Sequence, residues 1–463
     1  MLVPFDTPTL VKAQLDARLE ETVALVPWSR RTGIVSLTLE LSQLPGFVPV
    51  LADPHFSFSH AEREDLRAGY GSTVEWQGFG PDRLADLRAR ALALKREWLQ
   101  LDPDDTGMEP FALAGFAAAS VSTDADGLPE ALLWLPEVAV RRRRGQAVLV
   151  FSTCLPADQD ACLRRWRSWL DRLVPGLCRS APGPLNPGPL RSLEDRPDRA
   201  GWIEAVEAAL AAIAEGTLEK VVLARRQRVQ GRRTFDLERL GAALTYLFPS
   251  CQVIRLQREG QCLVAATPER LLAQRGTWAE VDAIAGTAGR AAGSARDLAL
   301  GEALRSSPKE LREHALVTDA LRAALTPVSH RVEAQDGPSL LRLNNAQHLW
   351  THIRAELQPG MDALALADLL HPTPATNGAP CAAAQAWLAQ AEPWGRGWYT
   401  GAAGWLERDL SGEFWVLLRC AEIQGDHALL HAGAGIVAGS DPAGEWGETE
   451  AKLAAMLTAL QFA

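Results

Sequence analysis

The chain has 463 residues, 47% of them apolar, and its 47 basic and 57 acidic side chains leave a net charge of −10. That length holds two to three ordinary domains or one large one, and the apolar content builds a substantial core rather than a disordered chain. The acidic balance argues against a general nucleic-acid binder. No uncharged apolar run approaches the roughly 20 residues that span a bilayer, and the start of the sequence lacks the basic region, apolar run and cleavage site of a signal peptide.

In chain order, residues 10–25 read as a helix. Val35, Leu37, Leu39 and Leu41 alternate with polar residues as a half-buried strand. Short strands are expected at Phe56 to His60 and Thr73 to Phe79. Pro81 opens an amphipathic helix with Leu84, Leu87, Ala91, Leu94 and Trp98 on one face. Leu132 to Val140 and Ala147 to Cys154 read as a hairpin with the basic run Arg141 to Arg144 at its turn, either a phosphate-binding patch or a solvated tip. A helix covers 158–173. Residues 179–199 are rich in proline and polar side chains, so we expect an organisational boundary there, a linker or surface loop between residues 1–178 and 200–463.

Beyond it, Ile203, Val206, Leu210 and Ile213 mark a helix stopping at Gly216. Glu219 to Val229 is a strand with apolar residues on both faces and Lys220 at its mouth. Cys251 to Leu256 and Cys262 to Ala266 are strands, the second breaking at Thr267-Pro268-Glu269-Arg270. Another leads into Ala285-Gly286-Thr287. Ser307-Pro308-Lys309-Glu310 is a capping box that starts a helix running to about Leu325. Asn345 to Glu356 is an expected strand and Asp362 to Leu370 a helix. Glu413 to Ile423 alternates as one strand that puts Trp415, Leu417 and Arg419 on one face. Gln424-Gly425-Asp426 turns it back, and a glycine turn, Gly433-Ala434-Gly435, follows. Asp441 caps and Pro442 opens the last helix, where Glu445, Glu448 and Lys452 share one side. An arginine in an apolar row, bare glycines and an acid-lined helix together make a cradle for a small anion and a divalent cation.

Several residues admit a chemical role beside a bland one. Glu313 lies on the row Val317, Leu321, Leu325, so its carboxylate must be ion-paired, protonated or metal-bound. Glu445 and Glu448 are ordinary helix-dipole partners or hard oxygen ligands. Lys220 is a snorkelling strand-end lysine or a base whose ammonium burial disfavours. Glu269 is a surface acid or a general acid. Arg419 makes a structural salt bridge or binds a carboxylate in bidentate fashion. The glycines at 433, 435 and 439 lack dinucleotide-loop spacing, and His348 with His352 alternates like a strand rather than a helical zinc pair. The seven cysteines are scattered, never as Cys-x-x-Cys, which fits a reduced, cytoplasmic setting.

Taken together, the blocks from about residue 200 onward resemble the chorismate-utilising enzymes, and among them the isochorismate synthases. The resemblance rests on Glu219 to Arg225, Ala266 to Arg270, Ala285-Gly286-Thr287, Ser307 to His314, Gln347-His348-Leu349, Leu370 to Ala375, Gly401 to Trp405, Leu418-Arg419, and Ala432 through Asp441-Pro442 to Lys452. The first 180 residues resemble the family only loosely. Anthranilate synthases carry glutamine where Lys220 stands, and aminodeoxychorismate synthases carry a nucleophilic lysine where Ala285 stands. The present pairing is similar to isochorismate and salicylate synthases, and 371–375 with Gly404-Trp405 resemble the former. Ala443-Gly444 departs from a more acidic pair common in the family, and Arg290 stands three residues after Thr287 rather than close behind it.

The resemblance implies an α+β fold: large antiparallel sheets forming a sandwich with helices outside, the N-terminal half packed into it. It implies an isomerase that converts chorismate to isochorismate with Mg2+, adding water at C2 and losing the C4 hydroxyl. Lys220 would be the base and Glu269 the acid. Glu313, Glu445 and Glu448 would hold the metal. Gly286, Thr287, His348, Arg419, Gly433, Gly435 and Lys452 would bind substrate. Salicylate synthase, an aminating enzyme and a non-catalytic binder are the alternatives. No glutaminase subunit, nucleic acid or membrane partner is expected, and a monomer is. The product would feed menaquinone or siderophore biosynthesis.

Overall fold

Alternating apolar segments throughout the chain pair into two large, almost wholly antiparallel sheets. The computed structural model describes residues 7–42, 44–52, 54–119, 128–344 and 346–463; the expected strand start at Asn345 lies outside them. Among the described residues the 13-stranded sheet runs from Arg191–Arg196 through Lys220–Gln230, His427–Val437, Cys420–Gln424, Gln261–Thr267 and Gln252–Arg258 into His55–His60, Asp65–Tyr70, Val138–Arg143, Gln146–Leu155, Gly33–Glu40 and Trp98–Leu101, with Gly378–Ala379 paired beside Lys220–Gln230. The 10-stranded sheet runs from Ser329–Ala334 through Ala346–Leu357, Trp278–Gly289, Arg270–Arg275, Gly412–Val416 and Ala402–Glu407 into Phe111–Phe116, Ala131–Leu135 and Val74–Gly78, with Ser339–Arg342 paired beside Ala346–Leu357. Both sheets therefore mix early and late strands. Arg191–Arg196, inside the proline-rich stretch, is itself an edge strand paired with Lys220–Gln230.

The sheets pack face to face. Phe56, Phe58 and Ile254 of the first meet Phe111, Trp134 and Trp405 of the second in one buried cluster. Phe58 and Trp405 meet edge to face at 5.3 Å, a geometry worth about 0.5–1.5 kcal/mol beyond its area. Helices cover the outer faces. Thr7–Thr22 and Gln159–Leu177 bury Leu15, Leu19, Trp166 and Leu170 on the first sheet. Arg83–Glu97, Pro308–Leu325 and Ala363–Leu370 bury Leu87, Val317 and Leu366 on the second. This is the α+β sandwich expected from the sequence. Among the described residues no helix is long and apolar enough to cross a membrane.

Four local expectations need correction. The segment 132–140 is not one hairpin arm: Ala131–Leu135 belongs to the second sheet, and Val138–Arg143 pairs with Gln146–Leu155 in the first. The stretch 413–423 is likewise two strands, Gly412–Val416 and Cys420–Gln424, in different sheets. The chain crosses between them at Leu417 to Arg419, and Arg419 takes a left-handed φ of 47°. The apolar run is nearly unbroken through both crossings, so the sequence pattern cannot report a change of sheet. Gly433-Ala434-Gly435 is not a turn but the end of His427–Val437, with Gly435 opposite Val222; Gly439, at φ 89°, makes the turn. Finally, Ser307 caps its helix by accepting from the Glu310 N–H at 3.4 Å, but the Glu310 carboxylate accepts from the Thr287 N–H at 3.2 Å instead of closing the box. The helices Ser294–Ser306 and Cys381–Ala391 were not anticipated.

Candidate active site

A cavity of about 110 Å³ opens where the strands Lys220–Gln230 and His427–Val437 of the first sheet face Trp278–Gly289 and Ala346–Leu357 of the second. Every lining residue falls between Val222 and Lys452. The crossing at 417–419 brings Arg419 to its wall, and the strand break after Thr267 brings Glu269.

Its acid–lysine corner is built by two helix N-termini. On the helix opened by Pro308, Glu310 and Glu313 share a face, as do Glu445 and Glu448 on the helix opened by Pro442. Asp441 caps that second helix by accepting from the Gly444 N–H at 2.7 Å, worth about 1 kcal/mol. Lysines answer these acids. Lys220 Nζ, fully buried, lies 2.9 Å from Glu313 Oε1, at an angle that makes an ion pair without a hydrogen bond. Lys309 lies 3.0 Å from Glu445, and Lys452 2.7 Å from Glu448. Lys452 also donates to the Gly433 carbonyl at 2.7 Å. Of the three readings of Glu313, the ion pair is the one found, with Lys220 as its partner. Burial, then Glu313, holds the Glu310 carboxyl above its ordinary range. Burial, then Glu448, does the same for Glu445.

The opposite wall is arranged differently. Arg419 is only partly covered because it lines the open cavity, yet its guanidinium lies deep in the fold and burial lowers its basicity. It reaches Cys251 Sγ at 3.9 Å and lies 6.0 Å from the Phe248 ring centre. It has no carboxylate partner among the described residues, so the structural salt bridge is not what holds it. His348 Nδ1 meets Thr287 Oγ1 at 3.2 Å while its buried Nε2 has no partner among the described residues. Burial pushes its pKa down to about 3, with Arg419 and Lys452 adding to the effect, so the ring is neutral. Gly286 bulges out of its strand with φ 77°, a backbone only glycine adopts readily.

Glu269 is buried at 6% exposure. Its N–H donates to Thr267 Oγ1 at 3.2 Å and its carbonyl accepts from Val416 N. Burial raises its carboxyl to about 7 against the opposing pull of Lys220 and Lys452. Near neutral pH it therefore carries a proton in a large share of molecules. Gly435 is required by close packing: a Cβ there would collide with Glu313 Oε1 and meet Lys220 Cε at 3.1 Å. At Gly433 it would meet Leu223 O and Tyr399 Oη, both at 2.8 Å.

Of the twelve residues singled out from sequence, ten line the cavity; Lys220 reaches its edge through Glu313, and Glu445 sits behind Glu448. Sequence reasoning missed Glu310, whose three-residue spacing from Glu313 repeats that of Glu445 and Glu448. It also missed Thr376, Tyr399, Thr400 and His431, which line the cavity without a local signature.

Comparison with known proteins gives one consistent picture. A family model described as chorismate binding enzyme matches residues 28–461. The salicylate biosynthesis isochorismate synthase of Pseudomonas aeruginosa is 40% identical over 265 residues, covering 57% of this chain and 55% of that protein. Isochorismate synthase MenF of Escherichia coli is 36% identical over 267 residues, 58% of this chain and 61% of that one. The matched stretch thus spans little more than half the length of these relatives. The solved structure of MenF, the menaquinone-specific isochorismate synthase from Escherichia coli, superposes with a TM-score of 0.77 at 26% identity, covering 98% of this chain and 99% of that one.

Proposed function

The chain belongs to the family of chorismate binding enzymes, and from that premise we propose that it is an isochorismate synthase, converting chorismate to isochorismate. The observation that carries the reading is a buried lysine, Lys220, reaching the edge of a cavity whose wall holds a buried, partly protonated glutamate, Glu269, and an arginine, Arg419, that has no carboxylate partner among the described residues.

Water adds at C2 of chorismate and the C4 hydroxyl departs as water, so atoms balance with no other reactant. Neutral water is a poor nucleophile and hydroxide a poor leaving group. Lys220 takes a proton from the attacking water, a role that requires its ammonium first to give up a proton and its ion pair with Glu313. Glu269 gives a proton to the departing C4 oxygen. Each contribution is typically about 10²–10⁴-fold. Arg419 and Lys452 hold the enolpyruvyl carboxylate, with backbone N–H groups near Gly433 and Gly435. Gly286, Thr287 and the neutral His348 line the ring.

Four carboxylates on facing helix N-termini, two of them raised by burial and then by like-charged neighbours, offer the hard oxygen donors that Mg2+ takes. Among the described residues no three such groups already converge as a preformed ligand set, since each of Glu313, Glu445 and Glu448 is held by a lysine. A Mg2+ ion held by Glu313 and Glu448, with Glu445 through water, would supply positive charge for the ring carboxylate. The region 200–463 is read as catalytic, with residues 1–178 completing the sandwich around it. No ammonia-supplying subunit is needed, and a cytoplasmic monomer suffices.

The test is incubation with chorismate, with and without Mg2+, followed by product separation and a pyruvate assay. Mg2+-dependent isochorismate without pyruvate is expected. Pyruvate with salicylate would move the reading to a salicylate synthase; no turnover despite chorismate binding would leave a binder.

A further inference from the structure

A second, larger cavity of about 460 Å³ lies away from the first, where hairpin tips of the first sheet meet the strand Arg270–Arg275 of the second. Its size falls in the roughly 300–1,000 Å³ range of small-molecule pockets. Five arginines line it: Arg63, Arg143, Arg144, Arg270 and Arg275. Such a concentration is unexpected in a chain of net charge −10.

The local acids do not neutralise it. Arg270 is held by Asp282 at 3.0 Å and Glu280 at 3.2 Å. Glu413 lies 2.7 Å from Arg63 and only 4.0 Å from Arg275, so one carboxylate serves two guanidinium groups. Asp65 is already held at 2.5 Å by the buried Arg67. Arg143 and Arg144 have no ion-pair partner among the described residues. Burial and then the neighbouring Arg275 lower the basicity of Arg143, and Asp65 offsets them only in part.

Among the described residues two guanidinium groups therefore stand without an ion pair, on the hairpin tip at 143–144, and a third, Arg275 at the end of the facing strand, only shares Glu413 with Arg63. A ligand that satisfies both sides must carry several negative groups in a row. Guanidinium forks match phosphate oxygens in bidentate fashion. Trp278 adds an aromatic wall, one face of which is covered by Arg354 at 4.0 Å. We infer that this cavity is a binding site for a polyphosphate chain, free or as part of a nucleotide, separate from the chorismate pocket.

The experiment is calorimetric titration of the full chain with inorganic tripolyphosphate and, separately, with ATP, at low ionic strength. One equivalent of tripolyphosphate is expected to bind. The affinity is expected to fall at least tenfold in the double variant Arg143→Ala, Arg275→Ala, and again in Arg144→Glu alone, whose exposed side chain has no structural partner to lose. It is expected to stay unchanged in Lys452→Ala, which removes a cation of the other cavity. Tighter binding of ATP would assign the ligand to nucleotides through Trp278; equal binding would assign it to the phosphate chain alone. Absence of binding, binding unaffected by the arginine variants, or binding abolished by Lys452→Ala would each overturn the inference.

Discussion

The two walls of the small cavity satisfy their charges in opposite ways. On the acid–lysine side Glu313, Glu445 and Glu448 each have a lysine within 3.0 Å. On the other side the Arg419 guanidinium has no carboxylate and His348 Nε2 no partner among the described residues. An unsatisfied buried polar group costs about 1–3 kcal/mol, so the second wall gains stability only when something else completes it. The charges of the first wall are already paired, and a cation there must displace lysines. The difference suits the two tasks proposed for them: one wall to receive an anion, the other to exchange its own cations for protons and metal.

The largest expected effect is on the paired wall. Lys220→Gln should lower kcat by about 10²–10⁴-fold while chorismate binding survives, checked by product analysis beside equilibrium binding. Full activity in that variant would remove the base from the mechanism. Glu269→Gln should cost a similar factor, read in the same assay, and should also change the pH profile. As pH rises through about 7, wild-type Glu269 loses its proton, so kcat falls on the alkaline side; the variant should lack that limb.

The same shift predicts a stability change of definite sign. Between its ordinary 4.5 and the folded value of about 7, the folded chain keeps a proton that the unfolded chain has released. Stability therefore falls as pH rises across that window and levels off above it. Glu269→Gln, neutral throughout, should be more stable than wild type at pH 8 by up to about 3 kcal/mol, measured by denaturant unfolding at pH 5 and pH 8.

Smaller effects belong to the packing and to the open wall. Gly435→Ala forces a methyl against the Lys220–Glu313 pair and should reduce kcat by at least about tenfold through displacement of that pair. Arg419→Lys keeps the charge but loses the fork, so KM should rise by about tenfold with kcat nearly unchanged. A fall in kcat alone would assign Arg419 to the chemistry rather than to holding the carboxylate.

Much of this was legible locally. The caps at Ser307 and Asp441, the strand starting at Lys220 and the acid on an apolar row at Glu313 are short-range signals, and they recur in the structure. The crossings at Pro136-Glu137 and Leu417 to Arg419 were not legible, because the strands on either side are apolar on both faces whichever sheet receives them. That hid how Arg419 reaches the cavity. Tyr399, Thr400 and His431 were missed for the same reason: they come from segments whose meeting depends on long-range pairing. The division of the chain at 179–199, plausible from composition, obscured an edge strand, since Arg191–Arg196 carries few apolar residues and pairs through its backbone.

The central claim is that this cavity adds solvent water to C2 of chorismate. It is tested most directly by turnover in water enriched in oxygen-18, with mass analysis of the isochorismate. The account predicts one heavy oxygen per product molecule, on the C2 hydroxyl, and none in unreacted chorismate at early times. Isochorismate without the label would mean that the hydroxyl moves within the substrate, and the role given to Lys220 would be contradicted.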